Sequence, residues 1–215
     1  AALQTKFSQN LLADEESKFL ELTVDQLAGL PEALVENAAM VANSKGKTGW
    51  IISNTRSSID PFLTYSSVRS LREQAWKMFV NRGDNGDEND NKEIISEILQ
   101  LRAERAKLFG LETHAHWKLV DKMAKTPENA MKLLEDVWKP AVKRVAEEVA
   151  DMQAIADQEG ANIKIEPWDY RYYAEKVRKA KYDLDENEVK PYLQLDQMRA
   201  SMFWMAGELF NIQFD

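Results

Sequence analysis

Cysteine is absent from the 215 residues, and histidine occurs only twice. No disulfide, thiolate metal site or cysteine nucleophile can be built from this chain. The absence of cysteine fits cytoplasm or periplasm and does not choose between them. No apolar run approaches the roughly 20 residues needed to span a bilayer. Residues 1–10, AALQTKFSQN, lack the basic start and apolar core of a signal peptide. They read as the inside of a helix, so the expectation is that the chain starts within a longer protein. Basic charge is also in deficit. The 28 Lys and Arg against 36 Asp and Glu give a formal charge of −8, which argues against nucleic acid or an anionic membrane as partner. A local basic cluster, Lys176, Arg178, Lys179 and Lys181, is flanked by acids and reads as a solvated helix face.

What is present suits a soluble globular protein: 44% hydrophobic and 30% charged residues, enough for one large domain or two small ones with a buried core. Leu3, Phe7, Leu11 and Leu12 recur at helical spacing, and Phe19 with Leu22 are candidates to continue that pattern. Pro31 stands at the start of a second helix through Leu34, Val35, Ala38 and Val41. Gly46-Lys47-Thr48-Gly49 breaks the chain before Trp50–Ser53, the best strand candidate. Asp60-Pro61 reads as a helix start, with Phe62, Tyr65, Val68, Leu71, Ala75 and Phe79 continuing one apolar face.

Residues 81–90 form a polar, turn-rich surface loop. Ile94, Ile98, Leu101, Arg105 and Leu108 then trace a helix that Gly110 ends. Thr126-Pro127 opens another, running toward Gly160, with a kink or break expected near Trp138 because Pro140 lies inside it. Ile163 and Ile165 alternate in a short strand or an extended link. Further helices are expected over Trp168–Tyr182, Asp185–Leu195 and Asp196–Leu209, and the closing residues 211–215 resemble the start of a strand. No tandem repeat is visible.

Four local features invite functional readings. Gly46-Lys47-Thr48 resembles part of a phosphate loop, but position 41 is Val41 where that motif needs glycine, and a helix precedes where a strand should. A turn is the better reading. In the loop around Asp84, setting Gly86 at the sixth position of a calcium loop puts Gly83 at the third and Lys92 at the twelfth, so the register fails. His114 and His116 lie two apart in a helical context, which points their imidazoles about 200° apart and prevents shared ligation. Acid pairs such as Glu147-Glu148 and Asp185-Glu186 read as surface groups. Trp168, Tyr170, Tyr172 and Tyr173 read first as core cement and second as the lining of a peptide cleft.

Longer blocks go further. Gln26–Leu30, Glu97–Glu104, Leu108–Gly110, Lys122–Glu128, Pro167–Tyr170, Tyr173–Glu175, Tyr182–Glu186, Lys190–Tyr192, Phe203-Trp204 and Glu208–Phe210 resemble, in order and spacing, the M3 family of zinc metallopeptidases. The likeness is to its peptidyl-dipeptidase (Dcp-like) branch and spans essentially the whole chain. It implies a mainly α fold with at most one or two short strands. The implied division is 1–160 as helical scaffold and 161–215 as a lead-in to the catalytic region, stopping before the zinc site. The activity implied for the parent is hydrolysis of short peptides with release of C-terminal dipeptides. There zinc polarises the scissile carbonyl and a motif glutamate takes a proton from water.

The HExxH helix and later glutamate ligand of that family lie downstream of the stretch matched by Phe203–Phe214. No catalytic, cofactor-binding or metal residue is therefore assigned, and no zinc or catalysis is expected of these residues alone. The alternative is a free-standing helical binding or scaffold module. Expected partners are short peptides in the parent, without nucleic acid or membrane, in the cytoplasm or else the periplasm. Met202, Phe203, Trp204 and Met205 are expected to be left partly without partners, so that self-association would cover them.

Overall fold

Lys18 ends the first helix, α1 (Ala2–Ser17), by turning extended at φ −103° and ψ 124°. That turn converts Phe19–Leu22 from the expected continuation of the helix into a strand, β1, and it corrects the sequence reading. The cause is long-range. β1 pairs antiparallel with β2 (Trp50–Ser53), setting Leu20 opposite Ile52 and Leu22 opposite Trp50. This two-stranded ribbon carries the strands of the described residues, which in this computed structural model are 1–182 and 186–214. The expected fold class, mainly α with at most two short strands, holds.

Between the strands lies α2 (Glu32–Ser44), introduced by Pro31 and followed by the expected turn at Gly46. After β2 the chain enters α3 (Arg56–Tyr65) almost at once, and the Ser58 hydroxyl in its first turn accepts from the Ser53 N–H at the end of β2 at 3.1 Å. Asp60-Pro61 thus lies inside a helix and does not start one. The helix reading from Phe62 to Phe79 also divides: Ser66–Val68 is extended, and α4 (Arg69–Val80) begins after it. Gly29 explains part of that break. At φ +86° it packs against the connection, where an added Cβ would sit 2.4 Å from the Tyr65 carbonyl oxygen. The expected apolar face still forms, but from two helices. Ile52, Ile59, Phe62 and Ala75 are fully buried with Leu22, Ala38, Leu63 and Leu71 around them. Each large side chain so buried contributes about 1.5–3 kcal/mol.

The loop 81–91 leads to α5 (Lys92–Leu108), which Gly110 ends at φ +68°. A short α6 (His114–Leu119) precedes α7 (Pro127–Gln158), where the Thr126 hydroxyl accepts from the Asn129 N–H. α7 runs through Pro140 without the expected break. Residues 131–147 are exposed throughout, so water satisfies the Asp136 carbonyl that Pro140 cannot meet. Ile163 to Ile165 is an extended link, not a strand. Gln153 holds it from α7, donating to the Ile163 carbonyl at 2.7 Å and accepting from the Ile165 N–H at 3.1 Å.

Helix α8 (Tyr170–Tyr182) crosses the boundary between two compact units, Ala1–Glu175 and Lys176–Asp215. The second unit contains α9 (Glu186–Val189), a 3-10 turn at Lys190–Tyr192 and α10 (Leu195–Phe210). Asp183, Leu184 and Asp185 lie outside the described residues, as does the expected helix start at Asp185. Residues 211–214 form no strand. Asn211 closes α10 in the left-handed region, and Phe214 stacks on Phe203 with centroids 4.4 Å apart. Met202, Trp204 and Met205 are all more than half exposed, at 58%, 66% and 55%.

Truncating the best-buried aromatic tests the core assignment. Phe62→Ala is expected to destabilise by about 3–5 kcal/mol in denaturant titrations; a loss near zero would contradict the packing of α3 against β2 and α4.

Candidate functional site

A charged centre sits where the first unit closes on itself. Arg72 follows Leu71 on the inner side of α4 and is 2% exposed, so its guanidinium requires a buried acceptor. Asp169, at the entry to α8, supplies it and is itself fully buried. Arg72 Nη2 donates to Asp169 Oδ1 at 2.8 Å while Nη1 donates to the Ser66 carbonyl at 2.8 Å, in the break between α3 and α4. Arg69, one helical turn earlier, donates from Nε to both carboxylate oxygens at 3.1 Å and from Nη2 to Oδ2 at 2.8 Å. The Glu166 N–H completes the set at 3.2 Å.

Aromatic rings surround this centre. Trp168 meets Trp76 edge to face at 5.9 Å, and Arg72 lies 4.1 Å above the Tyr172 ring. Tyr173 is 3% exposed, whereas the Tyr170 hydroxyl reaches out to donate to Glu148 at 3.1 Å. Trp168, Tyr172 and Tyr173 therefore act as core cement, while Tyr170 lies exposed at the edge. Burial pushes the Asp169 carboxyl upward, but the hydrogen bonds from Arg69, Arg72 and the Glu166 amide outweigh it and hold the pKa below the usual carboxylate range. A carboxylate so surrounded by donors has little basicity to offer a substrate. It holds structure and does not move protons.

A second buried acid, Asp14 on α1, organises the polar loop. It accepts from the Gly83 N–H and Asn85 Nδ2 at 2.8 Å, from Asn89 Nδ2 at 3.2 Å, and pairs with Lys18 at 2.8 Å. Asn10 Nδ2 donates to the buried Asn91 Oδ1 at 2.9 Å beside it. One rim of the loop is thus fastened, while Asp84, Asn85, Asp87 and Glu88 stay exposed. Burial raises the Asp14 carboxyl, and Lys18, Gly83 and Asn89 together reverse that, leaving it lowered. Sequence reading missed both buried acids. The available signal was Arg72 beside Leu71 on the apolar face of α4, and Asp14 between the half-buried Leu11 and Lys18 on α1.

The histidines belong to α6 as expected. His114 tilts against Trp117 at 5.4 Å, and His116 Nδ1 is 2.9 Å from the Thr113 hydroxyl. Glu112 lies 3.9 Å from the His116 ring, and no group of three His, Asp or Glu able to hold a metal occurs among the described residues. With two non-convergent imidazoles and no thiol, the donor set does not fit zinc. Glu147 and Glu148 share the exposed Arg144, and Asp185 of the other acid pair lies outside the described residues.

A mainly helical chain whose PWDY segment is pinned by two arginines defines a structural class, and comparison with known proteins gives the family. The model of Peptidase family M3 matches residues 62–215. The chain is 36% identical over 217 residues to a dipeptidyl carboxypeptidase of Escherichia coli, covering 100% of this chain and 32% of the relative. It is 36% identical to a probable cytosolic oligopeptidase A of Arabidopsis thaliana (98% and 31% covered) and 30% identical to an oligopeptidase A of Escherichia coli (98% and 32%). The chain belongs to Peptidase family M3 and spans about a third of the length of these relatives.

The Asp169 centre makes a signed prediction. Because its folded pKa is lowered, its contribution to stability is complete above the ordinary carboxylate pKa near 4 and falls away as pH drops through the folded value. Asp169→Asn should cost about 3–5 kcal/mol at neutral pH and flatten the acid limb of stability against pH; an unchanged acid limb would contradict the assignment.

Proposed function

We propose that this chain is part of a zinc-dependent peptidase that hydrolyses short peptides and releases dipeptides from their C-terminus. The carrying observation is that its whole length aligns with a dipeptidyl carboxypeptidase, while no group of His, Asp and Glu able to hold a metal occurs among the described residues. Residues 1–160 are read as the helical scaffold of a substrate channel and residues 161–215 as the lead-in to the catalytic body. The Asp169 centre supports that reading, since it fastens the start of the lead-in to the scaffold through a carboxylate whose two oxygens are both taken by arginine donors.

On this reading the 215 residues contribute shape and substrate access, and bond cleavage needs a zinc site that they do not supply. The partners are short peptides, without nucleic acid or membrane. No described helix is long and apolar enough to cross a membrane. The cytoplasm is the compartment proposed, with the periplasm as the alternative; the cysteine-free composition fits both. The exposed Met202, Trp204 and Met205 support self-association when this chain is studied alone.

Adding the purified chain to a quenched fluorescent peptide with zinc should give no turnover. A chain extended to the length of the relatives should hydrolyse the same peptide and lose that activity to a chelator. Chelator-sensitive turnover by the 215 residues alone would overturn the division of labour, and an inactive full-length chain would overturn the peptidase reading.

A further inference from the structure

Three cationic side chains share one pocket that no carboxylate lines, in a chain whose net charge is −8. The pocket, of about 390 Å³, opens between the first turn of α1, the middle of α5 and α6. Arg102 and Arg105 stand a turn apart on α5, and His114 and Lys118 a turn apart on α6, so all four reach one space. Other cations along the same stretch do pair with acids: Lys92 with Asp84 and Asp90, Lys122 with Asp121, Lys132 with Asp136. Among the described residues no Asp or Glu forms an ion pair with Arg102 or Arg105, Lys118 feels Asp121 only as a neighbouring charge from outside the pocket, and no Asp or Glu lines the pocket.

The other walls are apolar or unsatisfied. Arg105 and Lys118 lie 5.2 and 5.1 Å from the Trp117 ring, which Leu101 joins in the lining. His114 Nδ1 is buried with no hydrogen-bond partner. Burial first, and then Arg102, Lys118 and Arg105, hold the His114 pKa below its ordinary value, so the ring is neutral at pH 7 and its Nδ1 can carry a donor hydrogen. Mutual repulsion among the cations and an unmet buried polar atom are both relieved by one kind of guest.

We propose that this pocket binds a small organic anion, a carboxylate or phosphate carried on a flat apolar body. The oxyanion sits among Arg102, Arg105, Lys118 and His114, and the apolar body sits beside Leu101 and Trp117. Guanidinium pairs suit the planar, two-oxygen faces of both head groups. The proposal does not rest on the peptidase reading.

Two histidines make the test clean, because their ring C2–H proton resonances are few, and a His116→Gln variant assigns them. The 215-residue protein is titrated with N-acetylphenylalanine, phenyl phosphate and the uncharged N-acetylphenylalaninamide. At least one of the two anions should shift the His114 signal saturably and raise its titration midpoint by about half a unit or more. His116 should stay in place and the amide should have no effect. Tighter binding of the acid assigns a peptide-like carboxylate as the source, and tighter binding of phenyl phosphate assigns a phosphate ester. Arg102→Gln with Arg105→Gln should weaken binding at least about tenfold with helix content unchanged. No saturable shift with either anion up to about 20 mM, equal binding of the amide, or full affinity in the folded double variant would each overturn the proposal.

Discussion

One buried carboxylate joins distant parts of this chain. Asp169 takes hydrogen bonds from Arg69 and Arg72 on α4, and Arg72 also holds the Ser66 carbonyl in the break before that helix. Neither group tolerates burial alone, because an isolated charge in a protein interior costs several kcal/mol. The pair therefore constrains three things together: where α3 stops, how α4 faces, and where the chain turns into α8. Aromatic packing of Trp168 on Trp76 and of Tyr172 on Arg72 follows from that placement.

The same chemistry limits what the centre does. A carboxylate with its acceptor sites taken, and with its pKa held low by two guanidinium groups, is a poor base and a poor metal ligand. Asp14 repeats the pattern on a smaller scale, collecting the Gly83, Asn85 and Asn89 donors of a polar loop onto α1. Buried acids here act as fasteners. The peptidase chemistry of the family calls for a different donor set, which two histidines two residues apart on α6 do not supply.

Features whose physics is local were legible in the sequence. Thr126-Pro127 starts a helix, Gly110 ends one, and Trp50–Ser53 is a strand, because caps, positive φ and β-branched runs act within a few residues. What escaped depends on partners far along the chain. Phe19–Leu22 becomes a strand only because β2 is there to pair with it. The gap between α3 and α4 is fixed by distant partners, with Gly29 packed against it, Arg72 on the Ser66 carbonyl and the Ser67 N–H and hydroxyl both donating to the Ala28 carbonyl. Pro140 leaves α7 unbroken because that stretch is open to water. Asp14 and Asp169 look like any other acids in a chain with 36 of them, and only the three-dimensional arrangement shows what they hold.

If Asp169 fastens the link and the start of α8 to the helical core, those segments open together. Native-state amide hydrogen exchange measures this directly at Ile165, Tyr173 and Ala75. The account predicts that Ile165, bonded to Gln153, and Tyr173, bonded to the Asp169 carbonyl, share the opening free energy of Ala75 in the core of α4. Exchange at Ile165 and Tyr173 through an opening that leaves Ala75 fully protected would contradict it.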